Sequence, residues 1–439
     1  MILFDVLRRD KWSRFVLTLR QEGLRIALRK TARYLRARLS GSGLSSLFRA
    51  GSDKPGQGGD YLGLMWLELA EKQAFHLPEA PAVHLKQRKI AMIGDMNLPQ
   101  CRKYRVEQPA ELWHRAGVGY DFAHYEDVQR ATALLQEASH VMLYRLANTP
   151  VTSMLLYESR RLRLPVLYDL DDPLFSVSAY GTYQNMDALP LSQKQHFLRE
   201  APRYLDVMNA ADLISVSTPG MVAHTGLYSA RPVLLRRNFA DSATLQAGAA
   251  ARAKSGARSE AFRLGFASGS MGHEVDFATI AEDVITFLDA AENRQLVILG
   301  HFDKKLLPEA LRPRVEMHPF TDYAAYLETL ASLDAAVMPL ADDAFNRCKS
   351  AVRVIDAAAV GVPSVVGAVS DMAHQVEAGQ TGQVVPKGGS WLAALETLAA
   401  DRAQCRILGL TAREQLETRW AARCDLPVMD PALLEWVKA

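Results

Sequence analysis

The chain has 439 residues, 49% of them hydrophobic and 23% charged, a composition typical of a globular protein with room for about two or three domains. No apolar run approaches the roughly 20 residues that cross a bilayer, and charges at Arg8 to Lys11 interrupt any signal-peptide core, so we expect a cytoplasmic protein. The cysteines are scattered without a CxxC pair, which argues against a zinc site or a disulfide framework: Cys101, Cys348, Cys405 and Cys424.

Positive charge is concentrated at the amino terminus. The first 50 residues hold 12 Lys and Arg against 3 acidic residues, a net charge of +9, whereas the rest of the chain has a net charge of −7. Residues 1–40 have the pattern of two basic amphipathic helices divided at Gly23, and residues 40–60 that of a Gly/Ser-rich linker.

This basic arm has three interpretations: binding to an anionic membrane surface, packing on the protein body or lying free in solvent, and binding to nucleic acid. Nucleic acid is the least favoured, because aromatic residues such as Trp12 and Phe15 are not interleaved with the arginines as in a base-stacking surface. We therefore expect residues 1–40 to hold the protein at the inner face of the cell membrane, with no nucleic-acid partner.

From residue 89 onward, short apolar runs alternate with helical patterns. Continuous apolar strands that alternate with helices indicate a parallel sheet covered on both faces. The predicted strands of the first half are 89–94, 120–125, 140–145, 165–170, 212–217 and 232–238, and the predicted helices include 103–116, 149–162 and 192–210.

The alternation stops over residues 239–260, which we interpret as an interdomain connection, and then resumes. The second set of predicted strands is 263–269, 295–300, 314–320, 333–340 and 363–368, with predicted helices at 276–290, 322–332 and 350–360. The expected organisation is two tandem α/β domains of doubly wound parallel sheet with a ligand cleft between them, divided as 1–60, 61–240, 241–420 and 421–439. Neither GxGxxG nor GxxxxGK[ST] is present, which argues against dinucleotide dehydrogenases and P-loop NTPases.

The stretch from Asn346 to Val366 carries the strongest chemical signal. It has the pattern of a loop, a helix that Gly361 ends, and a buried strand. Lys349, Arg353 and Asp356 lie one or two helical turns apart, which suits a nucleotide diphosphate with its phosphates at the helix start and its ribose hydroxyls on the carboxylate. The alternative is a surface helix with an Arg353–Asp356 ion pair.

Several segments resemble the nucleotide-binding half of GT-B glycosyltransferases of the family 4-like group, the glycosyl transferases group 1. The resemblance runs through RLGFASGSMGHEVDF at 263–277, QLVILG at 295–300 and the specific block at 333–386, with looser matches in the first half at 101–117, 168–175, 215–221 and 236–242. It covers roughly residues 88–420. It implies a GT-B fold, two tandem Rossmann-like domains, and metal-independent, mostly retaining sugar transfer from a nucleotide-diphosphate sugar without a further cofactor.

The resemblance also assigns a donor site in the second domain. The expected donor-binding residues are Gly269, Ser270, His273, Lys349, Ser350, Arg353 and Asp356. Gly269 and Ser270 would let a loop approach the phosphates ahead of a helix start, while His273 and Lys349 would supply positive hydrogen bonds and take part in catalysis. The group often carries two glutamates eight positions apart, but here Asp356 stands at the second position and Cys348 at the first. Sugar-ring recognition by the first glutamate therefore has no counterpart.

Acidic residues follow a buried strand of the first domain at its carboxyl end. Asp169, Asp171 and Asp172 invite three interpretations: a metal site, an acceptor site with Asp171 or Asp172 as general base if the reaction inverts, or turn capping before Pro173. Because the resembled fold works without a bound metal, we expect no metal and assign Asp171 and Asp172 to catalysis. The expected acceptor-binding residues are Tyr104, Arg105 and Asp169.

The leading hypothesis is a hexosyl- or deoxyhexosyltransferase that acts in bacterial polysaccharide biosynthesis on a cell-surface glycan or polyprenyl-linked acceptor. One alternative is a nucleotide-sugar 2-epimerase, which shares the two-domain architecture. Another is a non-catalytic scaffold for glycan assembly, to which the absence of the first glutamate gives some weight.

Overall fold

The computed structural model describes residues 87–439 except 257, 258, 270, 271, 301 and 424, and, within the arm, residues 16, 19, 24, 28, 31 and 32. The chain divides into two compact units, residues 1–73 and 74–439. The six described arm residues are helical, and Val16, Leu24 and Leu28, spaced by eight and four, are exposed. The rest of the predicted arm and linker lies outside the described residues. No helix among the described residues is long and apolar enough to cross a membrane.

The first domain is built on a six-stranded parallel sheet in the order β2-β1-β3-β4-β5-β6. Its central strands are buried on both faces, which explains why they consist of continuous apolar runs rather than alternating ones. The strands are β1 Lys89–Gly94, β2 Gly119–His124, β3 His140–Tyr144, β4 Val166–Leu170, β5 Leu213–Val216 and β6 Val233–Leu235.

Helices cover both faces of this sheet. The first of them directly follows a three-residue helix, Pro99–Cys101, and a π-helical segment, Arg102–Glu107. The sequence predicts a single helix over 103–116 in this region. The α-helices are α1 Pro109–Arg115, α2 Val128–Glu137, α3 Pro150–Arg161, α4 Val177–Thr182, α5 Leu191–Ala210 and α6 Pro219–Thr225, with a 3-10 segment at Gln184–Ala188 between α4 and α5.

The second domain repeats the architecture with a parallel sheet in the order β12-β11-β10-β7-β8-β9. One edge strand, Gly382–Val385, is absent from the predicted set, because four residues that include Gly and Gln carry little strand signal. The strands are β7 Phe262–Ser268, β8 Arg294–Gly300, β9 Val315–His318, β10 Ala335–Met338, β11 Ser364–Gly367 and β12 Gly382–Val385.

The connection between the domains, residues 239–260, contains a helix, although the sequence pattern of alternating strands and helices stops there. Asp241 accepts a hydrogen bond from the backbone N–H of Thr244 and caps α7, Ser242–Lys254, whose alanine-rich sequence favours helix. The helices that follow are α8 His273–Ala278, α9 Ala281–Asp289, α10 Tyr323–Ala331, α11 Val352–Ala359, α12 Met372–Gln375, α13 Trp391–Ala400 and α14 Arg402–Arg419, with 3-10 segments at Lys304–Leu306, Glu309–Arg314 and Asn346–Cys348. Gly361 has φ +70° and ends α11 as the sequence predicts.

The chain returns to the first domain at its end. The last helix, α15 Pro431–Lys438, buries Leu433 and Val437 in the same core as Trp113 of α1. The two crossings between the domains lie side by side, since Ala240 N–H donates to Trp420 O at 2.7 Å and Ala422 N–H donates to Ala240 O at 2.9 Å. Residues 421–439 therefore complete the first domain rather than standing apart.

Candidate active site in the cleft between the domains

The carboxyl ends of the two sheets meet at a cleft, as expected for two doubly wound domains. Side chains from the first domain contact the 346–350 segment of the second: Thr218 Oγ1 donates to Cys348 O at 3.0 Å, and Asn238 Nδ2 donates to Ser350 Oγ at 2.9 Å. The ring of Tyr183 stacks on that of Phe345 with centroids 4.1 Å apart. The predicted donor residue Ser350 therefore lies on this contact between the domains.

Lys349 reaches across the cleft to an acidic residue of the first domain. Its Nζ lies 3.1 Å from Oδ1 of Asp172, and both side chains keep about a fifth of their surface exposed. Burial alone would lower the pKa of Lys349, but Asp172 outweighs it and raises that pKa above its usual value, so the ammonium stays charged. Two of the four predicted catalytic residues, Lys349 and Asp172, thus form an ion pair between the domains.

Asp171 and Asp172 share a guanidinium within the first domain. Arg145 Nη1 lies 2.9 Å from Asp171 Oδ1 and 3.4 Å from Asp172 Oδ2, and Tyr144 donates its hydroxyl to Asp171 Oδ2 at 3.0 Å. Burial opposes the charge of Asp172, yet Lys349 and Arg145 bring its pKa below the usual range. Both carboxylates are therefore held by cations or donors, with Asp172 as the one that faces the second domain.

His273 begins α8 and is oriented by Asp276. Its Nδ1 lies 3.0 Å from Oδ2 of Asp276, which is fully buried. Burial lowers the pKa of His273, and nearby Arg353 and Lys349 lower it further against the opposing effect of Asp276. The ring is therefore neutral near pH 7. Because an ionised carboxylate only accepts hydrogen bonds, Nδ1 carries the proton and Nε2 is the unprotonated nitrogen.

Arg353 projects from the start of α11 toward this histidine. Its Nη1 lies 3.5 Å from the carbonyl oxygen of Ala267, near the end of β7. Burial lowers its pKa, while Asp276 opposes that shift. Arg353, Lys349 and His273 are therefore close enough to one another for the two cations to affect the pKa of the histidine.

Asp356 is enclosed by tyrosines from both domains. Tyr104, from the first domain, donates its hydroxyl to Oδ1 of Asp356, and Tyr323 donates to the same oxygen at 2.6 Å. The ammonium of Lys103 lies 4.2 Å and 4.3 Å from the centroids of the Tyr104 and Tyr323 rings. Burial raises the pKa of Asp356, against the effects of Lys103 and the two hydroxyls. In this closed cleft, tyrosine hydroxyls hold the position expected for ribose hydroxyls, and Asp356 forms no ion pair with Arg353.

The glycine of the predicted phosphate loop has open space beside it. A side-chain carbon placed at Gly269 would meet no atom within 4 Å. Its predicted companion Ser270 lies outside the described residues. The helix that follows, α8, has six residues.

Arg105 and Asp169 occupy a different place from the one predicted. Both are fully buried, and Arg105 Nη2 lies 2.6 Å from Asp169 Oδ2. Asp169 also pairs with Arg236, whose Nη2 lies 2.7 Å from Oδ1, and Ser215 donates its hydroxyl to Asp169. Neither side chain exposes an atom to an acceptor, so the structure corrects this part of the prediction: the pair joins the sheet to the π-helical segment.

The three aspartates after β4 do not converge on one point. Asp169 faces the buried arginines, whereas Asp171 and Asp172 face Arg145 and Lys349. Within the part of the chain that the structure describes, no group of three or more His, Cys, Asp or Glu side chains is arranged to hold a metal ion.

Several residues of the cleft are absent from the sequence-based prediction. Asp276 stands inside the quoted HEVDF motif, where its spacing of three from His273 was a usable signal. Arg145 has φ +53°, a left-handed backbone conformation that its local sequence does not predict. Three further residues make contacts between the domains: Asn185 with Asp276, and Lys103 with the ring of Tyr323. These contacts are known only once the fold is known.

Residues 263–401 match the family model described as glycosyl transferases group 1. No curated protein sequence matches the chain significantly.

Solved structures of similar fold include three proteins. Sucrose-phosphate synthase from Thermosynechococcus elongatus has a TM-score of 0.53 and 17% identity, over 76% of this chain and 95% of that one. WaaG, a glycosyltransferase involved in lipopolysaccharide biosynthesis, has a TM-score of 0.51 and 12% identity, over 80% and 100%. Anabaena HepE in complex with UDP-glucose has a TM-score of 0.50 and 14% identity, over 80% and 98%.

The fold is of the GT-B type, two tandem Rossmann-like domains, as in these solved structures. Within it, residues 263–401 are similar to the glycosyl transferases group 1. The fold predicted from the sequence, two tandem Rossmann-like domains, is confirmed.

Proposed function

We propose that this protein transfers a hexosyl or deoxyhexosyl group from a nucleotide-diphosphate sugar to a cell-surface glycan or polyprenyl-linked acceptor. The observation that carries the proposal is the ion pair of Lys349 with Asp172 across the cleft, with Arg353 and Lys349 both close to His273 in the second domain. In the closed cleft Asp172 is the anion that pairs with Lys349. The diphosphate of a bound donor would replace Asp172 as the partner of Lys349, and Asp172 would then be able to contact the acceptor.

The proposed reaction breaks the bond between the anomeric carbon and the diphosphate oxygen, whose electron pair leaves with the nucleoside diphosphate. The acceptor hydroxyl forms the new glycosidic bond, and its proton passes to a departing phosphate oxygen. We assign stabilisation of the leaving diphosphate to Lys349, Arg353 and the N–H groups near Gly269, and no metal or further cofactor is required in this scheme. Retention follows from the same-face departure and attack; for an inverting reaction, Asp171 or Asp172 would accept the proton instead.

On the donor side, Asp356 is proposed to accept the ribose hydroxyls once Tyr104 withdraws with the first domain. Ser350 and the loop at Gly269 and Ser270 complete the proposed donor site. On the acceptor side, Tyr104 and Asp172 face the cleft from the first domain, whereas Arg105 and Asp169 have no exposed surface to contribute.

The donor proposal is tested by thermal unfolding of the full chain with UDP-, GDP-, dTDP- and CMP-sugars. A ligand that binds only the folded state at 100 times its Kd stabilises by about 2.7 kcal/mol. One diphosphate sugar should raise the Tm of the wild type, and Lys349→Met should respond much less. Arg347→Met is the matched control, because Arg347 lies two residues away in an exposed pair with Asp342. An equal response in Lys349→Met and wild type would contradict the proposal.

Turnover separates the proposal from its alternatives. A transferase should release free nucleoside diphosphate only when an acceptor is added, an epimerase should interconvert donor sugars without any acceptor, and a scaffold should bind without turnover. Transfer that persists unchanged after chelation of metals would support the metal-independent scheme.

We further propose that residues 1–40 attach the protein to the inner face of the cell membrane. The support is the basic charge of this arm and the exposed Val16, Leu24 and Leu28 on helical spacing. Flotation with vesicles that contain anionic lipid should recover the full chain and not a chain that lacks residues 1–60. Equal recovery of both would remove the membrane proposal.

A further inference from the structure

The carboxylate that orients His273 is completed by a residue of the opposite domain. Oδ2 of Asp276 accepts from Asn185 Nδ2 at 2.7 Å, in addition to its contact with His273. Its other oxygen, Oδ1, accepts from the backbone N–H of Ala341 at 3.0 Å and from Asn346 Nδ2 at 3.1 Å. Asn185 alone among these four donors belongs to the first domain, where it lies in the 3-10 segment Gln184–Ala188.

The contact between Asn185 and the start of α8 is close on the backbone side as well. Gly272, the residue before His273, has φ +103°, and a side-chain carbon at this position would lie 3.0 Å from the carbonyl oxygen of Asn185. A glycine is therefore needed both for the backbone conformation and for the approach of the two domains. The side chain and the main chain of Asn185 thus act on the same short segment that carries His273.

The side-chain amide of Asn185 uses its NH₂ group in this contact, while its side-chain carbonyl oxygen has no hydrogen-bond donor among the described residues. Its Nδ2 donates to Asp276 and, at 3.1 Å, to the hydroxyl of Tyr183. Its Oδ1 is buried and accepts no hydrogen bond from the described residues. Because an unpaired buried carbonyl destabilises the closed cleft, the arrangement is poorly explained as a device for stability alone.

We propose that Asn185 is a positioning residue that couples closure of the cleft to the orientation of His273. When the domains separate, Oδ2 of Asp276 loses the hydrogen bond from Asn185. The carboxylate then holds the imidazole of His273 less firmly in one orientation. When they close, the donor returns, Nδ1–H of His273 is held on Asp276, and Nε2 is presented to the donor diphosphate. This inference rests on the proposed role of His273 at the donor.

The kinetic test is a double-mutant cycle on the full chain. Asn185→Leu keeps the branched shape but removes both donors, so kcat should fall about 10-fold while KM for the nucleotide sugar changes less than about 3-fold. In a His273→Gln background, Asn185→Leu should cause no further loss, because its effect passes through the histidine. Equal, additive losses in both backgrounds would overturn the proposal.

Thr182→Val is the matched control. Thr182 Oγ1 accepts from Ala344 N–H at 3.3 Å, which is another contact between the domains but does not touch Asp276. This variant should keep kcat close to that of the wild type. A loss equal to that of Asn185→Leu would show that any weakened interdomain contact suffices and would overturn the specific role of Asn185.

A readout without turnover keeps this inference separate from the proposed function. In ¹⁵N-histidine spectra of the ligand-free chain, the signal absent from His273→Gln identifies His273 among the 11 histidines. It should show the Nδ1–H form in the wild type and a mixture of both tautomers in Asn185→Leu. An unchanged tautomer in Asn185→Leu would refute the positioning role. Failure of every nucleotide sugar to bind or react would refute the proposed function while leaving this spectroscopic result valid.

Discussion

The charged groups of the two domains are satisfied in different ways. In the first domain, Asp169 is paired within the domain by Arg105 and Arg236, all fully buried. In the second, Lys349 finds its carboxylate across the cleft on Asp172, where both partners keep some exposure. The first arrangement persists whether the cleft is open or closed, whereas the second exists only on closure. Permanent pairs support a fold, and exchangeable pairs are available to a charged ligand.

The largest effect is expected from breaking the permanent arrangement. Arg105→Leu leaves the buried Asp169 with one arginine fewer, and removing one partner of a buried ion pair costs about 3–5 kcal/mol. Urea or thermal unfolding should report this loss. Lys194→Met, which removes the cationic partner of the exposed Asp187, is the control and should cost less than about 1 kcal/mol. Similar losses in both variants would contradict the structural role assigned to the buried pair.

A smaller effect is expected where Asp356 joins the two domains. Tyr323→Phe removes a hydroxyl donor from this buried carboxylate, and a hydrogen bond to a charged group contributes about 1.5–3 kcal/mol. The Tm should fall accordingly. Tyr326→Phe is the matched control from the same helix, because the Tyr326 hydroxyl does not donate to Asp356, and it should change the Tm little. A larger loss in the control would contradict this account of Asp356.

Removing the exchangeable carboxylate should strengthen nucleotide binding. In Asp172→Asn, Lys349 loses the anion that competes with a diphosphate, so affinity for the nucleotide diphosphate should rise about 3- to 10-fold. Isothermal titration calorimetry of the variant and the wild type measures this change. Weaker binding in Asp172→Asn would mean that the carboxylate supports the donor site rather than competing for it.

The smallest effect is expected from pH. Burial, Arg353 and Lys349 hold the pKa of His273 below its usual value, so the ring is neutral at pH 7 before a ligand binds. A bound diphosphate raises this pKa, and binding therefore takes up a proton. Affinity for the nucleotide sugar should increase about 3-fold as pH falls from 8 to 6. This dependence should disappear in His273→Gln, and its persistence there would assign it to another group.

The fold was accessible from the sequence because its signals are local. Buried parallel strands are continuous apolar runs, and β1 is predicted at the residues where it occurs, 89–94. The edge strand Gly382–Val385 was missed, since few apolar residues mark it. The connection at residues 239–260 was interpreted as irregular, although Asp241 and the following alanines were usable helix signals.

The candidate site was accessible only in part. His273, Lys349 and Arg353 come together because they follow strands of one domain at the carboxyl edge of its sheet. The pairing of Arg105 with Asp169, 64 residues apart, depends on how the π-helical segment packs and leaves no trace in the local sequence. The same holds for Asn185 on Asp276 and Tyr104 on Asp356, which require the relative placement of two domains.

The return of the chain to the first domain has a consequence for biosynthesis. The core around Trp113 stays incomplete until Leu433 and Val437, which follow the second domain in the chain, have been synthesised. The first domain therefore has apolar surface uncovered while the second domain is made. Deletion of residues 431–439 should consequently destabilise the domain that is synthesised first.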